Sequence, residues 1–130
     1  MILILKTGTE DNLLELRELD GESKFSNAWP ASKLLSEELP GIIEDALNSL
    51  GLNFEDVSGV VGFKGPGSYT GLRIGITVIN AIADQVGAPI VGTNGEDWIE
   101  DGLEKLRAGE NDQIILPEYG GEANITKPRK

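Results

Sequence analysis

Lys64-Gly65-Pro66-Gly67-Ser68-Tyr69-Thr70-Gly71-Leu72-Arg73-Ile74-Gly75 joins an apolar run at 57–63 to a helical pattern at 72–86. Gly65 and Gly67 let the backbone turn sharply and take positive φ without a Cβ clash. Pro66 fixes one φ between them and removes one donor. Ser68 and Thr70 are residues that cap a helix by accepting its first free N–H groups. The stretch therefore reads as strand, rigid turn and capped helix start, a junction where anions often bind. Two phosphate motifs nevertheless fail here by one residue. In a P-loop, G-x-x-x-x-G-K-[ST], Gly62 and Gly67 have the glycine spacing, but Ser68 stands where the lysine belongs. In the dinucleotide fingerprint, G-x-G-x-x-G, Gly65 and Gly67 fit, but Thr70 holds the third position and the glycine comes one residue late. Spacing alone favours a structural turn.

Working outward, residues 2–5 are a short apolar run, as in a buried strand. Residues 7–12 have turn chemistry. A second strand at 13–19 alternates in part, Leu14 and Leu16 against Glu15 and Arg17. Asp20-Gly21 marks a hairpin. The third strand, 23–29, places Phe25 and Trp29 on one face. Pro30 ends the sheet run. Leu35, Leu39, Ile42, Ala46 and Leu50 then recur at helical spacing, and Leu34, Ile43 and Leu47 widen that stripe. Pro40 predicts a kink or break near residues 38–39. After the 57–63 strand and the glycine turn, a helix at 70–86 stops at Gly87-Ala88-Pro89. A strand at 89–92, a helix at 96–106 and a short last strand at 113–116 follow.

The order is βββ-α-β-α-β-α. Strands 57–63 and 89–92, joined by a helix, are expected to be parallel, with an antiparallel hairpin before them. That is an α/β domain with a mixed five-stranded sheet. It is expected to occupy 1–116, with 117–130 as an extended tail.

The 70–86 helix has three faces. Leu72, Ile76, Ile79, Ala83 and Val86 make a bulky apolar face. Gly71, Ile74, Gly75, Val78, Ala81 and Ile82 make a smaller apolar one, and Arg73, Thr77, Asn80 and Asp84 a polar one. A helix apolar on two sides is covered on two sides. The bulky face suits the parent sheet. The smaller suits a neighbouring helix, which the glycines at 71 and 75 would let approach closely.

Composition limits the chemistry. There is no histidine and no cysteine, and 22 acidic residues face 11 basic ones, a net charge of −11. Disulfides, thiolate catalysis, the usual zinc sites and a Ser-His-Asp triad are excluded. Unaided nucleic-acid binding is disfavoured, because phosphate neutralisation needs Lys and Arg. No signal peptide or membrane-length apolar run is seen, so a cytoplasmic location is expected.

Gly65-Pro66-Gly67-Ser68-Tyr69-Thr70-Gly71-Leu72-Arg73-Ile74-Gly75 resembles the signature of the bacterial TsaB (YeaZ) family, a subunit of tRNA threonylcarbamoyladenosine biosynthesis. The resemblance runs more weakly over 1–95 and returns at Leu116-Pro117-Glu118-Tyr119 and Lys127-Pro128. It implies a ribonuclease H-like or actin-like lobe, in a short form lacking most of the second lobe. It also implies a non-catalytic subunit with no cofactor and no metal of its own. Such a subunit pairs with a TsaD-like catalytic protein and works beside a TsaE-like ATPase. Together they transfer a threonylcarbamoyl group to the adenosine next to the anticodon, so tRNA is met only through the complex. The family's first two helices form a bundle with the partner or in a homodimer. By residue match the interface is Leu34, Ile43, Leu47, Gly71, Arg73, Ile74, Gly75, Val78 and Ala81. Gly65, Pro66, Gly67, Ser68, Tyr69 and Thr70 form the structural signature turn.

Other readings compete at particular residues. Actin-like ATPases start with a metal-binding Asp on the first strand, but here Lys6-Thr7-Gly8-Thr9 stands there. Lysine can neutralise a phosphate, yet it cannot ligate Mg²⁺. A small actin-like nucleotide-binding protein using the Gly65–Gly71 turn is the alternative function. A peptidase, once proposed for the family, is argued against by the missing histidine; only a Ser68–Lys64 arrangement would remain. Glu10, Asp11, Glu55 and Asp56 read as surface carboxylates. Lys127, Arg129 and Lys130 read as an exposed basic end.

Overall fold

The first strand, β1 (Ile2–Lys6), carries apolar side chains on both faces, so it needs cover on both. In the computed structural model, which describes residues 1–119, it has that cover at the centre of a sheet of order β3-β2-β1-β4-β5. β2 (Asp11–Arg17) and β3 (Ser23–Pro30) continue from it as an antiparallel meander. β4 (Gly59–Phe63) is parallel to β1, and β5 (Ile90–Thr93) is parallel to β4. Side-chain alternation splits the sheet's apolar residues between two layers. Leu3, Leu5, Leu14, Leu16, Val60 and Ile90 pack with α1 (Leu35–Ser49) and α2 (Tyr69–Val86). Ile2, Ile4, Val61, Phe63 and Val91 pack with α3 (Trp98–Arg107). The succession βββ-α-β-α-β-α along the chain, the mixed sheet and the parallel β4–β5 pair are those the sequence predicts; the place of β1 between β2 and β4 is added by the structure.

Four local expectations need correction. β2 runs two residues earlier than the apolar pattern suggests, because the β2–β3 turn is longer: Gly21 N–H bonds the Glu18 carbonyl and Glu18 N–H the Glu22 carbonyl. α1 passes through Pro40 without a break. Ser36, whose carbonyl loses its amide partner to the proline, is exposed, so water can serve it. The buried ridge of α1 is Leu35, Leu39, Ile43, Ala46 and Leu47, whereas Ile42 and Leu50 are only partly covered. The ridge is rotated because α1 packs on α2 as well as on the sheet. Residues 113–116 are not a strand. Asn80 holds this segment instead, donating Nδ2 to the Ile115 carbonyl (2.9 Å) and accepting the Ile115 N–H at Oδ1 (3.0 Å). Ile115 thereby reaches the core beside Gly62 and Gly92. Among the described residues no helix is long and apolar enough to cross a membrane.

Candidate functional site

The glycine turn closes on the chain itself from two sides. Gly65 has φ 129°, and a Cβ there would run into the Glu118 carbonyl oxygen. Residue 118 is tied down at that spot. Its N–H donates to the Lys64 carbonyl (2.7 Å), its carboxylate pairs with Lys64 Nζ (3.2 Å), and Asn94 Nδ2 donates to it (2.7 Å). Gly67 is needed for a different reason from the one expected. It is not at positive φ, but a Cβ there would lie 2.6 Å from the Gly8 carbonyl oxygen. That same oxygen accepts the Ser68 N–H at 2.8 Å. Ser68 caps α2, its Oγ accepting the Gly71 N–H at 3.1 Å. Thr7 Oγ1 donates to the Gly71 carbonyl at 2.7 Å, and any Cβ on Gly75 would collide with Thr7. The close approach at 71 and 75 is therefore to the turn between β1 and β2.

This geometry bears on the phosphate alternative. Carbonyl oxygens of Gly8 and Glu118, with the Glu118 carboxylate beside them, crowd the space against Gly65 and Gly67. These are acceptors, and a phosphate needs donors. The exposed residues of the turn form a separate feature. Tyr69 stacks against Tyr119, ring centroids 4.6 Å apart, and the Arg73 guanidinium lies 5.2 Å from the Tyr69 ring centre.

Along α2 the three faces separate as the sequence suggests. Leu72, Ile76, Ile79 and Ala83 are buried. Ile74, Val78 and Ile82 are half-buried, with Arg73, Thr77 and Ala81 exposed beside them. Val78, Ala81 and Ile82, with Pro40 of α1 and Phe54, line an open groove of about 750 Å³. Arg73, Ile74, Thr77 and Val78 line a smaller depression next to it, with Ser36. Leu34, just ahead of α1, is 51% exposed. Ile43 and Leu47 are 0% exposed and belong to the core. They have no surface to offer a partner. The structure thus brings Arg73, Ile74, Val78 and Ala81 together on one strip and withdraws Ile43, Leu47 and Gly75 from it. Sequence reasoning missed Pro40 and Phe54, which carry no periodic signal on α2.

The residues considered for chemistry are engaged elsewhere. Lys64 is paired with Glu118, and Ser68 is a cap. Lys6 lies over the Phe63 ring, Nζ 5.5 Å from its centre. Glu10, Asp11, Glu55 and Asp56 are all exposed, and Asp56 Oδ2 accepts the Asn53 N–H at 2.9 Å. Lys127, Arg129 and Lys130 lie outside the described residues.

Similarity to known proteins falls on these same elements. The family described as TsaD: tRNA N6-adenosine threonylcarbamoyltransferase matches residues 29–99, which run from the end of β3 into α3. A tRNA N6-adenosine threonylcarbamoyltransferase of Rhizobium leguminosarum bv. trifolii is 32% identical over 120 residues, 82% of this chain and 33% of the relative. That of Geotalea uraniireducens is 38% identical over 64 residues, 49% of this chain and 19% of the relative. Among solved structures, YeaZ from Pseudomonas aeruginosa superposes with a TM-score of 0.65 at 25% identity, over 78% of this chain and 49% of that one. The chain thus spans about a fifth to a third of the length of those two curated relatives, and about half of YeaZ.

Proposed function

Because the chain belongs to the tRNA N6-adenosine threonylcarbamoyltransferase (TsaD) family and shares the YeaZ fold, we propose that it acts in threonylcarbamoyladenosine modification of tRNA as a non-catalytic, partner-binding subunit. Its partner in this reading is a TsaD-like catalytic protein, with a TsaE-like ATPase in the same complex. The same surface would also serve a homodimer. tRNA is contacted through the complex, since a net charge of −11 disfavours unaided binding. The chain supplies no histidine or cysteine for metal or acid–base chemistry.

The observation that carries this reading is the α2 strip. Ile74, Val78 and Ile82 remain half-uncovered: Val78 and Ile82 line a groove with Ala81 and Pro40 that is more apolar than a solvated helix face needs, and Ile74 lines the depression next to it. Exposed Leu34 and Arg73 extend it, and Arg is enriched at the energetic centres of interfaces. A helix pair contributed by each partner could bury the ~1,600 Å² of a standard specific interface. The test is co-expression with the TsaD of the same genome, followed by pull-down and a nucleoside assay of tRNA. Co-purification and restored threonylcarbamoyladenosine in a strain lacking its own subunit are expected. A chain that stays folded yet neither binds TsaD nor restores the modified nucleoside would overturn the proposal.

A further inference from the structure

Asn94 is the one asparagine of the chain followed by glycine. The pair opens the exposed loop 94–97 between β5 and α3. The ends of that loop are fixed. Lys64 N–H donates to the Thr93 carbonyl (2.8 Å), and Thr93 Oγ1 donates to the Trp98 carbonyl (2.6 Å). Between those ends, Gly95 N–H has no acceptor among the described residues, and a Cβ on Gly95 would meet nothing within 4 Å. Asn94 also lines an open pocket of about 530 Å³, so water reaches its side chain. Among the described residues the Asn94 amide makes one hydrogen bond, Nδ2 to Glu118 Oε1 at 2.7 Å.

Other asparagines lack this combination. Asn12 is buried, and Asn80 is held at both ends of its amide by Ile115. Asn48 lies inside α1, where the next N–H is committed to the helix. Asn27 and Asn53 are followed by Ala28 and Phe54, whose side chains crowd an approach that glycine leaves open.

We propose that Asn94 converts spontaneously to aspartyl and isoaspartyl forms, and that this conversion loosens the segment that closes the glycine turn. The Gly95 nitrogen, after losing its proton to hydroxide, bonds to Asn94 Cγ. The Cγ–Nδ2 bond breaks, and Nδ2 takes a proton from water and leaves as ammonia. Water then opens the cyclic imide at either carbonyl. One opening gives an ordinary aspartyl residue, the other a backbone routed through the side-chain carbons. The sum is amide plus water to carboxylic acid plus ammonia, with no change of oxidation state.

Either product removes the Nδ2 donor and adds a carboxylate beside Glu118. Carboxylates only accept, so an attraction becomes a repulsion. The two lysines of the pocket lining are already paired, Lys64 with Glu118 and Lys105 with Glu110. Glu118 is the residue whose N–H bonds the Lys64 carbonyl and whose own carbonyl stands against Gly65. Tyr119, stacked on Tyr69, follows it. Loosening Glu118 therefore releases both the cover of the turn and the tyrosine stack. The proposal stands independently of the partner surface.

The test is incubation of the full folded chain at neutral and alkaline pH. Peptide mapping by mass spectrometry and labelled methyl transfer by an isoaspartate O-methyltransferase are the readouts. Position 94 should lose its amide ahead of every other asparagine, at a rate proportional to hydroxide, and become a methyl acceptor. Asn94→Gln, which would have to close a larger ring, should stay intact. Asn94→Asp reads the consequence. Hydrogen exchange at the Glu118 N–H should be faster by about tenfold, with the Tyr69 and Tyr119 ring signals moving together. If Asn94 outlasts Asn27 or Asn53 in the folded chain, the loop protects it and the proposal is wrong. It also fails if Asn94→Asp leaves Glu118 exchange and both tyrosine signals as they are in the unaltered chain.

Discussion

Replacing Gly65 with Ala should destabilise the protein by about 2–4 kcal/mol, from two separable sources. The first is the backbone. At φ 129° residue 65 lies where glycine alone moves freely, and holding another residue there costs ~1–3 kcal/mol. The second is contact. The new Cβ would meet the Glu118 carbonyl, so residues 117–119 must move away. That breaks the 2.7 Å bond from Glu118 N–H to the Lys64 carbonyl, worth ~0.5–1.5 kcal/mol. The Lys64–Glu118 ion pair goes too. Its side chains are 28% and 52% exposed, so it adds at most about 1 kcal/mol after solvent screening.

Two controls separate the terms. Gly51 has φ 76° but nothing within 4 Å of an added Cβ, so Gly51→Ala should show only the left-handed backbone cost, ~1–2 kcal/mol. In a chain ending at Leu116, Gly65→Ala should keep its backbone cost and lose its contact cost, a difference of about 1 kcal/mol. Urea unfolding followed by circular dichroism measures each value. If Gly65→Ala costs no more than Gly51→Ala in the full chain, or its cost is the same in both backgrounds, the turn is not closed on residues 117–119.

The remaining predictions concern surface, core and chemistry. Ile74→Glu or Val78→Glu should leave a folded chain, because each side chain has an open side. Both should abolish partner association in size-exclusion chromatography, since an unpaired carboxylate inside an interface costs several kcal/mol. Ile43→Glu, at a 0% exposed position, should instead prevent folding, visible as lost far-UV circular dichroism. Asn80→Ala should cost ~1–3 kcal/mol in urea unfolding, because it leaves the Ile115 N–H and carbonyl without their partners. The isolated protein should release no phosphate from ATP with Mg²⁺; a turnover that vanishes in Ser68→Ala or Lys6→Ala would refute this.

How far the sequence reached can be judged residue by residue. The types of element and their succession along the chain were legible because period-2 and period-3.6 patterns report which faces are covered. Leu14 with Leu16, and Phe25 with Trp29, fall on the faces that alternation assigns. Ser68 was legible as a cap, since its chemistry is local. What was not legible depends on distant residues. Ile42 and Ile43 are equally apolar, and only the packing of α1 on α2 as well as on the sheet decides that Ile43 is the core residue. Gly67 reads as a φ requirement, but its partner is Gly8, some sixty residues away in the chain. Residues 113–116 look like a strand by composition. Their backbone is claimed by the Asn80 side chain, and no local pattern announces that.

The same distinction bears on why α2 carries Ile74 and Val78. Leu72, Ile76, Ile79 and Ala83 account for the core, and Gly71 and Gly75 admit the Thr7–Gly8 turn. Neither requirement reaches the outer half of the strip. Long polar residues there could lay their stems over α1 and end in water, as Lys or Arg commonly does. β-branched residues instead lose χ1 freedom in a helix and leave apolar surface uncovered. Helix propensity and solubility both run against Ile74 and Val78, and the fold asks only for their inner atoms. A partner helix is the simplest source of the missing cover. It also explains why the strip is bounded by exposed Arg73 and Thr77 rather than continuing as apolar surface. If Ile74→Lys and Val78→Lys together left both stability and partner binding unchanged, this reasoning would fail, and the strip would be an ordinary helix face.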